Sequence, residues 1–572
     1  MTNRPFHRAP VREHRNVVLV VAATLATSTA LAAPLALTGV PEANPRVANS
    51  NAPSVLSPDL LQTTVAEGSV PLENPTGLFK FYGYNGDGPM MPPAGSVQSP
   101  GNNVEATKTE PDKNTYLAVS GQHGADPNYS YGTHFLFQGH ESGFKDSNAP
   151  GGEAGYITRI NLDADGPHRV TLMASADSSG KPLPDFDGST WNPFAQRLLF
   201  TAELGANGGV WQATLEYPST VEDISAMAGL GHAGYEGIQN DSDGNLWIVE
   251  DVGGVAGAIN KQAKQPNSFV YRFVPGDASN LKAGGKLQAL QVMSNAHAGP
   301  IEFHAAVPPQ TAAEAADLDI LSQDMKDLHT YGMQFQAIWV TIHDTATDGF
   351  DGFDANAKAK EHHATPFKRP ENGVFRPGTH FGEFFFTETG DTNADTQAGE
   401  EFGGFGALMK LTQRRPSDDS GTLEPFFVGD VEHTGLDNIA FLTTDLLISV
   451  EDAGETLHTQ RNALDSMWLF DADANYGGSD VPVRLLAQGR DSSATVDAGL
   501  LAISGNGFQN DGDNELTGVH VSDGDSTPKG ILGGKDPKPF QKNGTWRIFY
   551  TQQHGDNLTW EIIPRRPGTG LD

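Results

Sequence analysis

Five times along this 572-residue chain an apolar run ends on an acid and turns through glycine. Asp241–Gly254 (DSDGNLWIVEDVGG) shows the unit most fully: a turn, a short apolar strand, then Glu250 and Asp251 before a Gly-rich bend. AQRLLFTAELGANGGVW ends its strand on Glu203, FGEFFFTETGDTN on Glu388, TTDLLISVEDAGET on Glu451 and Asp452, and THFLFQGHESGF on His140 and Glu141. Carboxylates crowded together repel unless they are protonated or bridged by cations. Acids that converge would therefore make a multi-metal site of hard oxygen ligands. The alternative at each position is an acid that satisfies its own tight turn.

The elements that must position these acids repeat with them. After each acid come a Gly-containing loop and a second strand rich in aromatic or branched residues: YITRINL, VWQATLE, SFVYRFV, ALMKLT and SMWLFD. A strand–acid–strand unit cannot bury its faces alone, and radial stacking buries them. The fold class expected is all-β, a single β-propeller of five or six blades, with six favoured. Equivalent strand ends would fall on one rim and bring the acids together there. A final strand pairing with the first blade would close the circle.

Two stretches interrupt the pattern. Between Pro308 and Tyr331, residues Ala312, Ala313, Ala316, Leu318, Leu321, Met325 and Leu328 sit near helical spacing, which predicts a helical insertion. Gly349–Thr365 reads as a hydrophilic loop. At the N-terminus, Arg4, Arg8, Arg12 and Arg15 precede the apolar run Val17–Ala26 and the small-x-small site Ala30-Leu31-Ala32. Residues 1–32 therefore read as a secretory signal, and the protein is expected to be secreted or periplasmic, with no membrane segment after signal removal. Residues 33–73, rich in Pro, Ala, Ser and Asn, read as a disordered spacer, and 74–572 as the propeller domain.

Composition narrows the function. Lys+Arg 37 against Asp+Glu 71 gives a net charge of -34, which repels nucleic acid and anionic membranes and suits cation binding. The 65 Gly and 37 Pro suit a turn-rich all-β chain. There is no cysteine, so disulfides, thiolate nucleophiles and Cys-ligated metals are excluded. The Asp-x-Asp-Gly clusters lack the full spacing of an EF-hand and read as turns. A serine-hydrolase elbow in a strand–helix setting is absent, as is a nucleotide-binding Gly loop.

Several short pieces, in order, resemble the alkaline phosphatase PhoX family. They are His140-Glu141, the acid after LLFT (Glu203), Glu250-Asp251 before glycines, Arg369-Pro370-Glu371, the run from Asp437 to Glu451-Asp452, Glu515–Gly518 (ELTG) and Gln553-His554-Gly555. The resemblance spans nearly everything from Glu73 onward. It implies a propeller with a calcium–iron cluster on its axis, hydrolysing phosphate monoesters outside the cytoplasm. Carried over motif by motif, Glu203, Glu250, Glu371 and Glu451 are the first choices as metal ligands, and Glu141, Asp452 and Glu515 the second. Arg369 would grip the substrate phosphate, because its planar fork matches two phosphate oxygens. His140 and His554 are either general acids, donors to the ligands, or plain structural hydrogen-bonders. The expected partner is a small phosphate ester, and a monomer is expected.

One departure stands out. The family places a cysteine ligand for iron before the LLFT-like strand, and DFDGSTWNPFAQRLLFTAE has Phe186 or Asp187 there instead. Either Asp187 replaces the thiolate, giving a harder site that could be all-calcium, or the iron site is lost. In the second case the chain would be a calcium-dependent propeller hydrolase of another ester, lactonase- or phytase-like, or a non-catalytic calcium-stabilised binding propeller.

Overall fold

The computed structural model describes residues 1, 37–45, 54–84, 90–91, 104–105, 108–391, 399–489, 515–541, 544–553 and 557–565. The expected signal, apart from Met1, and His554 lie outside them. Thr38–Asp572 forms one compact unit, and Met1–Leu37 is a separate one. Among the described residues no helix is long and apolar enough to cross a membrane.

The fold is all-β and propeller-like. Four small antiparallel sheets accompany one of nine strands and a two-stranded ladder. The first small sheet runs in chain order: Thr115–Ala118, His134–Lys145, Glu153–Asn161, Val170–Ala174. Ser189–Asn192, Arg197–Ala202, Gly209–Ala213 and Val221–Asp223 make the second. The nine-stranded sheet contains two such meanders, one starting at Tyr235–Asn240 and one at Gly373–Phe375. They are joined edge to edge by Phe335–Asp344, which pairs with both Gly285–Val292 and Ser420–Val428. Leu436–Phe441 begins the next meander and Glu515–Ser522 the last.

The strands that begin the meanders are all edge strands of their sheets. They touch one another in sequence, and Glu515–Ser522 comes back to Thr115–Ala118, so their contacts form a closed circle. Close approach there requires glycine. A Cβ at Gly188 would collide with the Glu236 carbonyl, and one at Gly237 would lie 2.8 Å from Glu371 O and Asn372 Cα. Between sheets the packing is apolar. Leu199 and Val210 meet Tyr235, Ile248 and Tyr271 in one cluster, and Trp247 meets Phe375, Phe384 and Met409 in another. Each such buried side chain contributes about 1.5–3 kcal/mol.

The predicted insertion holds two helices, Ala312–Ile320 and Gln323–Leu328. Thr311 and Glu314 form a reciprocal capping box at the first. Met325 and Leu328 pack into the apolar cluster around Trp247. The stretch read as a loop at 349–365 contains helix Ala355–Glu361, started by the Asp354 side chain accepting from Ala357 N.

Residues 33–73 are not a spacer throughout. Ser54–Leu56 pairs with Val483–Gln488, and Leu60–Ala66 pairs with the C-terminal strand Leu558–Pro564. Composition pointed the wrong way because Gln62, Thr63 and Thr64, polar residues, pair in this strand alongside Leu60, Leu61 and Ala66. The circle therefore closes by an N-terminal strand joining the last sheet, the reverse of the expected closure. Removing residues through Ala66 would leave Leu558–Pro564 as an open edge. The expected outcome is loss of a cooperative thermal transition by circular dichroism; an unchanged melt would show that the closure is dispensable.

Candidate active site

Six acids stand at the starts of the six strands that circle the centre. Asp112 precedes Thr115–Ala118, Asp187 precedes Ser189–Asn192, and Glu371 precedes Gly373–Phe375, while Glu236, Asp437 and Glu515 lie at the heads of their own strands. Ligand atoms of Asp112, Asp187 and Glu236 come within 4.8 Å of one another, and all three are buried. The remaining members are electrostatically joined to them. Asp437 and Glu515 act on Asp112, and Glu371 acts on Glu236.

Burial and mutual repulsion set the protonation of this ring. Loss of water and the charges of Asp437, Asp187 and Glu515 push the Asp112 carboxyl well up. Glu236 is raised by burial, then by Asp187 and Glu371. Burial lifts Asp187 to about 6, against hydrogen bonds from Glu141 and from Glu203 N, the latter 2.8 Å long. Burial lifts Asp437 to about 7, opposed by Asn438. Glu141 is raised by burial, Asp187 and Asp112, and Gln553 Nε2 lies 3.4 Å from its Oε1.

Glu203 and Arg369 stand beside the ring. Surrounding protein, Asp251 and Asp187 raise the Glu203 carboxyl. Solvent nevertheless touches this side chain, so desolvation is weak there and repulsion carries the direction. Arg369 donates to Asp251 through Nε at 3.0 Å and Nη2 at 2.6 Å, and Nη2 lies 3.5 Å from Glu371. Its backbone is left-handed at φ 57, a costly conformation for a non-glycine residue just before a proline. The surroundings hold it there: Thr389 N donates to Arg369 O, Lys368 N donates to Glu388 Oε1, and Lys368 Nζ pairs with buried Asp391.

The structure brings Asp187, Glu141, Glu203, Glu371, Glu515 and Arg369 together, and Asp452 reaches the group through its repulsion of Asp437. It does not bring Glu250 or Glu451. Glu250 accepts from Phe269 N, Tyr271 Oη and Asn356 Nδ2, and burial raises it to about 7. Glu451 is paired with Arg461 at 2.9 Å and accepts from Trp468 Nε1 and Ser466 N. Both, like Glu388, fasten their own strand end to a neighbour; the residue after each, Asp251 or Asp452, is the one that faces the centre. Expecting every strand-end acid on one rim overlooked this one-residue alternation of side-chain direction. His140 is buried between Thr109 O and Thr158 Oγ1, stacked on Tyr156, and burial lowers it to about 3. That neutral, enclosed ring has no proton to give near pH 7.

Asp112, Glu236, Asp251 and Asp437 were not among the predicted site residues. Glu236 and Asp437 share a signal with Glu371 and Asp187, an acid followed by Asn or Gly at an inner strand's head (Glu236-Gly237, Asp437-Asn438, Glu371-Asn372, Asp187-Gly188); Asp112 and Asp251 lack it. Lys113, buried beside Asp112, is drawn down to about 8 by burial, against the attraction of Asp112, Asp437 and Glu236.

Residues 260–459 match the family model of alkaline phosphatase PhoX, which takes in Arg369-Pro370-Glu371 and Asp437 to Asp452. The resemblance to that family is borne out. Among solved structures, Pseudomonas fluorescens PhoX in complex with vanadate, a transition-state analogue, aligns over 92% of this chain and 98% of its own. The identity is 11% and the TM-score 0.52. At that identity the likeness concerns the fold. Chaetomium thermophilum Sqt1 aligns over 81% of this chain and 97% of its own at 10% identity and a TM-score of 0.31. Comparison with curated proteins gave no match.

Two measurements probe this arrangement. Glu451→Ala leaves Arg461 buried without its partner, and a loss of about 3–5 kcal/mol in urea unfolding is expected. A loss under about 1 kcal/mol would mean the pair is not fastening the strand. In chelator, Asp187 and Asp437 should destabilise the folded state as they ionise. Their folded values of about 6 and about 7 lie above the unfolded value of roughly 4. The stability they supply is full below the unfolded value and lost as pH rises through the folded ones. The urea midpoint of the metal-free protein should therefore fall from about pH 4 to about pH 7.5; a rising midpoint would contradict the repulsion.

Proposed function

We propose that this chain is a secreted, calcium-dependent phosphatase hydrolysing small phosphate monoesters at the carboxylate ring. The family match supports a phosphatase-type hydrolase. The observation that carries the metal reading is the ring itself: buried carboxylates from separate strands, with Asp437 Oδ2 buried and without a hydrogen-bond partner among the described residues. Such groups are poorly satisfied by protein alone and suit a hard cation. Asp112, Asp187, Glu236, Glu371, Asp437 and Glu515 would hold calcium, with Glu203 and Glu141 at its side. Without cysteine, any iron would have to be held by carboxylates alone, Asp187 standing in the thiolate's place. Bound calcium would supply positive charge against the phosphoryl oxygens.

The chain's own residues do the remainder. Arg369 has Nε and Nη2 fixed by Asp251, which orients the guanidinium plane and leaves Nη1 for a substrate phosphate oxygen. Buried Asp251 is thus the positioning group for the anion grip. The closed circle of inner strands supports a six-bladed propeller, counting the two meanders of the nine-stranded sheet separately. The basic start and apolar run in the sequence of residues 1–32 support export, and we take the working unit to be a monomer.

Turnover of p-nitrophenyl phosphate by the mature protein, with metal content measured on the same sample, tests this. Activity should vanish in chelator and return with calcium. Arg369→Ala should keep the metal but lower kcat/KM by about 10²–10³-fold, the scale for loss of one charged transition-state donor. Bound calcium without turnover would sink the phosphatase reading and favour another ester or a binding role.

A further inference from the structure

The ring has a charged neighbour to which the phosphatase reading gives no task. Lys113 follows Asp112 directly, and its side chain is only 3% exposed. Its Nζ donates to Asn438 Oδ1 at 2.6 Å, Val519 O at 3.0 Å and Asn372 Oδ1 at 3.4 Å. An ammonium has three N–H donors, and each finds an oxygen on a different meander. Asn372 and Asn438 each follow a ring acid, Glu371 and Asp437, so Lys113 lies one residue further along the inner strands than the carboxylates. Asn438 is aimed as well: its Nδ2 donates to Asp437 Oδ1 at 2.8 Å and to Thr517 Oγ1 at 3.1 Å, which turns its oxygen to Lys113. Neutral amide and peptide oxygens converging beside acids are the donor set that hard cations use. Here a side-chain ammonium takes that place.

We propose that the Lys113 ammonium is a resident cation of the ring, occupying a position on the inner strands that a metal ion would otherwise take and so limiting how many ions the ring holds. This rests on the ring being a metal site. It also gives the motif Asp112-Lys113-Asn114 a reason to differ from the acid-Asn and acid-Gly pairs at Asp187, Glu236, Glu371 and Asp437. Asn114 keeps the hydrogen-bonding part of the pattern, donating to Gly518 O at 2.6 Å and Thr551 Oγ1 at 3.0 Å, and Lys113 adds the charge.

Counting ions, and not turnover, tests it. The full mature chain, as wild type, Lys113→Ala and Lys113→Arg, is equilibrated with calcium, freed of excess and measured by elemental analysis. Each is also melted in calcium and in chelator. Lys113→Ala should hold one more calcium ion per chain than the wild type and show a wider Tm gap between the two media. Lys113→Arg should match the wild type in both. An unchanged count with equal Tm losses in both media would overturn the proposal and leave Lys113 a hydrogen-bonding peg. Should Lys113→Ala fail to fold in chelator, rescue by calcium alone supports it. Failure in both media, with Lys113→Met keeping the wild-type count and Tm gap, overturns it. No calcium in either the wild type or Lys113→Ala would defeat the metal reading of the ring and this proposal with it, whereas calcium bound in equal number by both would overturn the Lys113 assignment alone.

Discussion

Everything at the centre of this molecule depends on the repulsion among its converging carboxylates. Two ionised carboxylates about 4 Å apart at an effective dielectric near 20 repel by about 4 kcal/mol. Ligand atoms of Asp112, Asp187 and Glu236 lie within 4.8 Å of one another, with more acids around them. No single meander could impose such crowding on itself. The fold does so by giving each acid its own meander, whose stability is set elsewhere by apolar packing. The centre can then be held in an arrangement it would not adopt alone, which is what a preorganised ion site requires.

The strand-end acids show how that scaffold is fastened. Glu250, Glu388 and Glu451 each end a second strand and accept hydrogen bonds from a neighbouring segment: Phe269 N and Tyr271, Lys368 N and His329, Ser466 N and Trp468. Because side-chain direction alternates, the next residue points the other way. Asp251 thereby reaches Arg369, and Asp452 reaches Asp437. One Glu-Asp dipeptide thus does two jobs, the glutamate tying its strand end to the next strand of the same sheet and the aspartate contributing to the centre. The left-handed Arg369 belongs to the same scheme, since Lys368 N ends on Glu388 and Thr389 N on Arg369 O.

The repeat of strand, acid and strand was legible because its period is local: apolar runs such as LLFT and LWIV, an acid, then glycine. The helical insertion was legible for the same reason, through Ala316, Leu321, Met325 and Leu328. What the letters did not reveal is which acids converge. Glu250 and Asp251 are equally acidic, and only the partners at Tyr271 and Asn356, 21 and 106 residues away, decide that Glu250 faces inward to its sheet. Glu236 and Asp437 sat in Gly- and Asn-flanked stretches that look like turns, because the close approach requiring Gly237 is to Glu371, far along the chain. The pairing of Leu60–Ala66 with Leu558–Pro564 was hidden by the same distance.

A protein of net charge -34 is a poor lure for a phosphate dianion, and its own ring of acids makes the centre worse. Arg369 alone does not reverse this, because Asp251 and Glu371 already offset its charge. On the proposed reading, cation loading must therefore precede substrate binding: only a ring whose carboxylates are overcompensated presents positive potential to an incoming anion. The surface acidity then has a consistent purpose. It would concentrate divalent cations near the molecule and repel nucleic acids, while the discrimination between anions would be left to Arg369 and to the cations that the ring would hold.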